Sequence, residues 1–198
     1  MSQDQPFQEP RIQEYSIVAR SPSQTQRVAA LLALHSSPGD VLLLAGGLGA
    51  GKTTFVQGFA HQLGVVGPIT SPTFTLLRQY PCNGVSGIDQ LLHADVYRLQ
   101  TLSEVLDLAL SELLEQESVA VVEWGDALAP LFGQDAMMVR IERTAKHRVL
   151  QAELESGHGC ATLQDNDFRR ITLVANGPIW NERMPDIISE LDLLDFDV

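Results

Sequence analysis

Apolar runs separated by glycine- and proline-rich turns divide the first part of the chain into predicted strands and helices. Residues 15–19 alternate like a short strand, and Ser23 is expected to open a helix with an apolar face from Val28 to Leu34. Residues 41–45 form a fully apolar run of strand length, and a glycine cluster then leads into a helical pattern over residues 55–63. A strand, a glycine loop and a helix in this order indicate the start of an α/β unit.

The remaining pattern predicts a sheet that is mixed, with parallel and antiparallel strands. Residues 73–80 are expected to form a strand that turns back through a hairpin into residues 91–99. A helical pattern over residues 103–117 leads into a buried strand at residues 119–122. Further expected elements are strands at residues 136–141, 148–154 and 171–174 and a helix at residues 186–194.

Length and composition favour one globular domain. The chain has 198 residues, of which 44% are hydrophobic and 19% charged, enough to bury a sizeable core. The sequence has no apolar run near the roughly 18 residues of a spanning helix, and its start lacks a signal-peptide pattern, so we expect a cytoplasmic protein. We expect a disordered tail over residues 1–13, the domain over residues 14–155, and an acidic extension of unknown role over residues 156–198.

Charge is distributed unevenly along the chain, whose formal net charge is −12. Residues 1–99 hold six acids and six bases, whereas the rest holds nineteen acids and seven bases. Lysines and arginines supply nonspecific affinity for nucleic acids, so tight unaided binding to RNA or DNA is not expected. The acidic C-terminal segment is interpreted as a solubilising terminus, with competition for a basic partner surface as the alternative.

Residues 46–53, with the sequence GGLGAGKT, match the P-loop pattern of a glycine, any four residues and Gly-Lys-Ser/Thr. Glycines let backbone amides approach phosphate oxygens, and the following helix adds its positive N-terminal end to this cradle. Lys52 is expected to neutralise β- and γ-phosphate charge, and Thr53 to place its hydroxyl on Mg²⁺. The alternative is an ordinary glycine-rich turn. The motif and its flanks predict an α/β fold: a single P-loop NTPase-like three-layer domain with a mixed, partly antiparallel central sheet.

A P-loop also needs an acid at the end of a neighbouring strand to order the water shell of the metal. Glu123 follows the apolar run at residues 119–122 and fits this role; the alternative is a solvated acid at a strand end. Asp95 could orient water or couple a loop to the γ-phosphate, or it could cap a loop. Trp124 could lie against the nucleotide, although its chemistry alone leans toward a place in the core.

Four ordered motifs carry a resemblance to a known family. After the P-loop come SPTFTL at residues 71–76, HADVYRL at residues 93–99 and the pair Glu123-Trp124. Together they resemble the TsaE family, also called YjeE, over about residues 15–154. The resemblance implies a small P-loop ATPase needed for bacterial synthesis of the threonylcarbamoyl modification on the tRNA adenosine beside the anticodon. It implies ATP and Mg²⁺ as cofactors.

The resemblance also implies a partner, a TsaB–TsaD complex in which TsaD performs the transfer. ATP binding or hydrolysis would reset that complex between turnovers, and tRNA would be met only through it, with no role for a membrane. Lys52, Asp95 and Glu123 would serve catalysis, and Thr53 and Glu123 would hold magnesium. Residues 71–73 would act as a switch-like loop. The residues implied to bind the nucleotide are Gly46, Gly49, Ala50, Gly51, Lys52, Thr53, Thr54 and Trp124.

Two positions depart from the family pattern. Gly47 stands where an acidic residue is common, and His147 stands where a glycine is usual. The basic cluster over residues 140–148 is interpreted as a face that balances the acidic second half, with an RNA site or a nucleotide border as alternatives.

Two other functions share the same phosphate cradle. One is a small-molecule kinase, against which the sequence shows no arginine-rich lid segment. The other is a nucleotide-dependent binding switch in which ATP orders residues 69–75 and hydrolysis is incidental. The sequence places no obvious arginine finger, so hydrolysis is expected to be slow without partners.

Overall fold

A computed structural model describes residues 13–83, 85–98, 114, 117–129, 135–144 and 168–194. Seven strands and three α-helices lie in these ranges. The strands are β1 (Gln13–Ala19), β2 (Val41–Ala45), β3 (Leu77–Pro81), β4 (Gln90–Asp95), β5 (Ser118–Glu123), β6 (Ala136–Thr144) and β7 (Phe168–Asn176). The helices are α1 (Pro22–Leu34), α2 (Lys52–Gln62) and α3 (Pro178–Leu193). None of these helices is long and apolar enough to cross a membrane.

The seven strands form one mixed sheet in the order β1-β7-β6-β2-β5-β4-β3. The four central strands β6, β2, β5 and β4 are parallel, and β7, β1 and β3 pair antiparallel at the two sides. Strand β2 is buried along its whole length, as its continuous apolar run predicts. This mixed sheet confirms the predicted α/β fold class.

Helices α1, α2 and α3 cover one face of the sheet, where they share a core with the strands. Phe55 and Phe59 of α2 are fully buried there, as the helical pattern predicts. A second cluster, including Leu43 of β2 and Val122 of β5, lies on the other face and contacts Leu114. Apart from Leu114 and residue 117, the helix expected at residues 103–117 lies outside the described residues, as does the strand expected at residues 148–154.

Helix α1 begins slightly earlier than expected. Ser21 is its N-cap, with the side chain accepting from the amide of Gln24 at 3.2 Å, and Pro22 occupies the first turn, where its missing N–H costs nothing. Ser23 therefore lies inside the helix. Leu34 was expected on the buried face, but half of its surface is exposed at the end of the helix.

The first part of the strand expected at residues 73–80 is a turn. The amides of Thr75 and Leu76 both donate to the carbonyl of Pro72, at 2.9 and 2.7 Å, and Leu76 has a φ of 62°. A residue in the left-handed region does not continue an extended strand, so β3 begins only at Leu77. It then forms the predicted antiparallel pair with β4.

The C-terminal segment is part of the same fold. Strand β7 lies between β1 and β6, and α3 buries Trp180, Met184, Ile187 and Leu191 at helical spacing in the core shared with α1 and α2. The expected extension from residue 156 therefore supplies a strand and a helix to the domain. Its acidic residues from 186 to 192 occupy the outer face of a packed helix, so this stretch is more than a solubilising terminus.

Candidate nucleotide site

Strand register brings the two acidic residues and the P-loop to one edge of the sheet. Asp95, at the end of β4, is aligned with Glu123, at the end of β5, and Glu123 is aligned with Leu44 of β2. The glycine loop leaves the sheet directly after β2. Because the carboxyl ends of parallel strands share an edge, three segments distant in sequence meet there.

The glycines of the loop meet two different requirements. A Cβ on Gly46 would lie 2.3 Å from the carbonyl oxygen of Ile141, so this position needs glycine for close packing against β6. Gly51 has a φ of 108° and is the N-cap of α2, and among the residues that the structure describes no side chain accepts from the first-turn amides. These amides are therefore available to an anion, and the helix dipole favours negative charge at the same place.

Lys52 folds back over the loop. Its Nζ atom donates to the carbonyls of Gly46 and Gly47, at 2.7 and 3.1 Å, and lies 3.6 Å from the ring centroid of Trp124. The side chain is 5% exposed. Burial lowers the pKa of Lys52 below its usual value, against the opposing charge of nearby carboxylates, with Glu123 the strongest. An anion in the cavity would stabilise the charged form of this lysine.

Glu123 links the P-loop helix to the sheet. Its Oε1 atom accepts a hydrogen bond from Thr53 Oγ1 at 2.8 Å and lies 3.0 Å from Nε2 of His93. Both Glu123 and His93 are buried, and His93 Nδ1 has no hydrogen-bond partner among the described residues. A hydroxyl and a carboxylate held together are hard oxygen donors of the kind that Mg²⁺ prefers.

Asp95 holds the loop over residues 71–73. Its Oδ2 atom accepts from Ser71 Oγ and Thr73 Oγ1, both at 2.9 Å, and its Oδ1 atom accepts from the amide of Tyr97 at 3.0 Å. Asp95 therefore caps the turn after β4, which is one of its two predicted roles, and it also holds Ser71 and Thr73 beside that turn. The other predicted role, in orienting water or coupling this loop to the γ-phosphate, stays a prediction. A movement of the Asp95 carboxylate would therefore change its hydrogen bonds to Ser71 and Thr73 and so affect the position of that loop.

Trp124 lies between the cavity and the second core cluster. The residue is half-buried and contacts that cluster, while its ring faces Lys52 Nζ and lies 4.7 Å from the ring of Tyr97. Its φ of 62° is unusual for a residue with a bulky side chain and turns the chain at the site.

A cavity of about 430 Å³ lies between these segments. Of the residues expected at the site, Gly46 is the one that does not line this cavity, since it packs against β6. The lining residues are Leu48, Gly49, Ala50, Gly51, Lys52, Thr53, Thr54, Ser71, Thr73, Asp95, Tyr97, Glu123 and Trp124.

Sequence reasoning missed two residues at this site. His93 was named only as part of the motif at residues 93–99. A histidine in an otherwise apolar strand that ends in an acid indicates a buried polar contact, and this signal could have identified it. Arg169 of β7 donates through Nε to the carbonyl of Ala50 at 2.7 Å and through Nη2 to that of Gly49 at 3.3 Å. No local signal connects Arg169 to a loop 120 residues earlier. His147 lies outside the described residues.

A buried parallel strand, a glycine loop and a helix that starts at Lys52-Thr53, beside an acid at the next strand end, define the P-loop NTPase class of fold. The family model described as threonylcarbamoyl adenosine biosynthesis protein TsaE matches residues 19–150. The chain belongs to the TsaE family.

Individual relatives agree with this assignment. The tRNA threonylcarbamoyladenosine biosynthesis protein TsaE of Bacillus subtilis is 42% identical over 123 residues, which cover 62% of this chain and 74% of the relative. The protein of the same name from Mycobacterium tuberculosis is 45% identical over 113 residues, covering 54% and 66%. The crystal structure of Bacillus subtilis YdiB superposes with a TM-score of 0.64 at 29% identity, covering 94% of this chain and 99% of that one.

Proposed function

We propose that this chain binds ATP with Mg²⁺ in the P-loop cavity and hydrolyses it slowly by itself. The observation that carries the proposal is the contact of Thr53 Oγ1 with Glu123 Oε1, at 2.8 Å, beside the uncapped start of α2. A hydroxyl and a carboxylate thus face the place where the amides of the loop would receive phosphates.

The donors present fit one magnesium ion that is bound mainly through phosphate and water. The described residues contain no cluster of three or more His, Cys, Asp or Glu side chains suited to a metal. Mg²⁺ keeps several waters and needs few protein ligands, so Thr53 and Glu123 are sufficient. When bound, the ion would neutralise negative charge on the phosphates. Lys52 would neutralise the same phosphates from the loop side.

We further propose the place of this activity in the cell. Relatives carry the name tRNA threonylcarbamoyladenosine biosynthesis protein, which supports a role in that modification. In this proposal the chain is a cytoplasmic ATPase subunit that docks on a TsaB–TsaD complex and resets it between turnovers. It meets tRNA only through that complex, in keeping with its net charge of −12.

The experiment combines calorimetry and turnover on purified protein. Wild type is expected to bind ATP with Mg²⁺, and Lys52→Ala to bind it about 30-fold more weakly through loss of a charge-assisted contact. Glu123→Gln is expected to bind ATP but to hydrolyse it roughly 100-fold more slowly. His61→Ala on the outer side of α2 is the control and is expected to match wild type. If wild type binds no ATP, the proposal is wrong.

A nucleotide-dependent binding switch is the second candidate, favoured by the hold of Asp95 on Ser71 and Thr73. That arrangement could transmit the presence of nucleotide to a docking loop without hydrolysis. An assay of tRNA modification over multiple rounds, with TsaB, TsaD and the Glu123→Gln variant, distinguishes the binding switch from the ATPase role. Sustained turnover with the variant favours the switch, whereas arrest after one round supports the ATPase role.

A further inference from the structure

Arg169 donates hydrogen bonds to the P-loop but does not line the cavity. Strand β7 places its guanidinium against the loop, where Nε donates to the Ala50 carbonyl at 2.7 Å and Nη2 donates to the Gly49 carbonyl at 3.3 Å. A Cβ built on Gly51 would lie 3.9 Å from the same Nε atom. Arg169 lies beyond residues 19–150, the part of the chain that the family model matches.

The direction of these hydrogen bonds fixes the direction of loop amides. The described backbone has no cis peptide, and in a trans peptide the N–H points opposite to the C=O. Holding the Ala50 carbonyl toward Arg169 therefore turns the Gly51 amide away from Arg169. A charged donor on the carbonyl also polarises the peptide, which makes that N–H a stronger donor to phosphate.

Two cations bind different carbonyls of the loop. Lys52 binds the carbonyls of Gly46 and Gly47 from within, and these contacts must be given up when its ammonium turns to a phosphate. The Arg169 contacts are to other carbonyls of the loop, those of Gly49 and Ala50, so that exchange does not require them to break.

We propose that Arg169 is a positioning residue for nucleotide binding, which presets the Gly51 amide of the P-loop and makes strand β7 part of the nucleotide site. This inference rests on the proposed binding of ATP. Arg169 acts through the backbone of the loop and not by touching the phosphates.

The test compares Arg169→Gln, Arg169→Lys and Arg170→Gln by calorimetry with ATP and Mg²⁺. Arg169→Gln is expected to weaken ATP binding about tenfold, since a charged hydrogen bond to the loop is lost. The ATP affinity of Arg169→Lys is expected to lie between those of wild type and Arg169→Gln, because one ammonium group does not reproduce the two hydrogen bonds of the guanidinium. Arg170 points to the opposite face of β7 and is the matched control, expected to leave the affinity unchanged. Wild-type affinity in Arg169→Gln overturns the inference.

A second measurement needs no nucleotide. Hydrogen exchange in the nucleotide-free protein is expected to show faster exchange of the Ala50 amide, which donates to the Gly47 carbonyl at 3.2 Å, in Arg169→Gln, but not in Arg170→Gln. A fall in melting temperature with unchanged loop exchange and unchanged ATP affinity means a merely structural residue and overturns the inference. If wild type binds no ATP, the proposed function fails, and so does this inference; the exchange data then report only whether Arg169 orders the loop. Should Arg169→Gln not fold, the Arg169→Lys arm decides by the same criteria.

Discussion

His93 Nε2 lies 3.0 Å from Glu123 Oε1, and both side chains are buried side by side on neighbouring parallel strands. The same Glu123 oxygen accepts from Thr53, so His93 fixes the rotamer of a carboxylate that also contacts the P-loop helix. Partners that orient a ligating carboxylate typically alter activity 10–100-fold when they are lost.

We therefore expect His93→Leu to lower the kcat of ATP hydrolysis about 10–100-fold, with a smaller change in the KM for ATP. His93→Gln, whose side-chain amide can still donate to Glu123, should retain more activity than His93→Leu. Steady-state turnover measures both parameters, and His61→Ala is the control. Equal kcat in His93→Leu and wild type would show that the contact does not position Glu123 for the reaction.

Thr73 tests the coupling of the loop to Asp95. Thr73→Val removes one of two hydroxyl donors to Asp95 Oδ2, at a cost of about 1 kcal/mol. ATP affinity should change by less than about threefold. The stimulation of hydrolysis that the proposed docking on TsaB–TsaD would give should fall up to about fivefold. Thr75→Val is the matched control, since the contacts of the Thr75 hydroxyl with other described residues are long, at 3.4 and 3.5 Å. If TsaB–TsaD stimulates ATP hydrolysis equally in Thr73→Val and Thr75→Val, the contact of Thr73 with Asp95 has no part in the response to the partner.

Arg183 of α3 forms a salt bridge with Asp40, which precedes β2 and is buried. Arg183→Leu leaves this carboxylate without its charged partner and should lower the free energy of unfolding by about 3 kcal/mol in urea. Adding Asp40→Asn should restore part of the loss. Arg170→Gln serves as the control. A loss below about 0.5 kcal/mol would mean that the ion pair contributes nothing measurable.

The loss in Arg183→Leu should also depend on pH. Burial raises the pKa of Asp40 even in the presence of Arg183, which lowers it, so removing the arginine raises this pKa further. Between the unfolded and folded pKa values the folded state binds more protons, and stability therefore rises as pH falls. Unfolding at pH 7 and pH 5 should show a smaller difference from wild type at pH 5. A larger difference at pH 5 would contradict this assignment.

Tyr15 makes a contribution to stability that should be lost at alkaline pH. Its hydroxyl donates to Asp192 of α3 at 2.5 Å, and burial together with this carboxylate raises its pKa to about 12. The unfolded tyrosine ionises near pH 10, so this contribution is complete below pH 10 and is lost as pH rises toward 12. Tyr15→Phe should be less stable than wild type at pH 7, and the difference should shrink above pH 10.

Tyr80→Phe is the control for that comparison, because the Tyr80 hydroxyl is buried without a hydrogen-bond partner among the described residues. Its removal should leave stability unchanged or raise it. If both phenylalanine variants show the same pH profile, the Tyr15–Asp192 contact does not stabilise α3.

The amino-acid sequence by itself determined the local elements and the P-loop motif. The apolar run of β2, the glycine loop and the helical face of α2 follow from periodicity and motif spacing, and the four ordered motifs identified the TsaE family. Such features are encoded within a few consecutive residues, where side-chain period and backbone freedom decide the conformation.

Only the tertiary structure decided which distant groups meet. Strand register placed Asp95 beside Glu123, and hydrogen bonding to Asp95 accompanies the turn that replaces the first half of an expected strand. Packing brought the C-terminal segment into the domain, with β7 in the sheet and the acidic helix α3 on one face of it. Arg169 donates hydrogen bonds to the P-loop, and Arg183 forms a salt bridge with Asp40. Each of these contacts joins residues more than 100 positions apart. These contacts depend on the order and register of strands in the sheet, which no local pattern of side chains specifies.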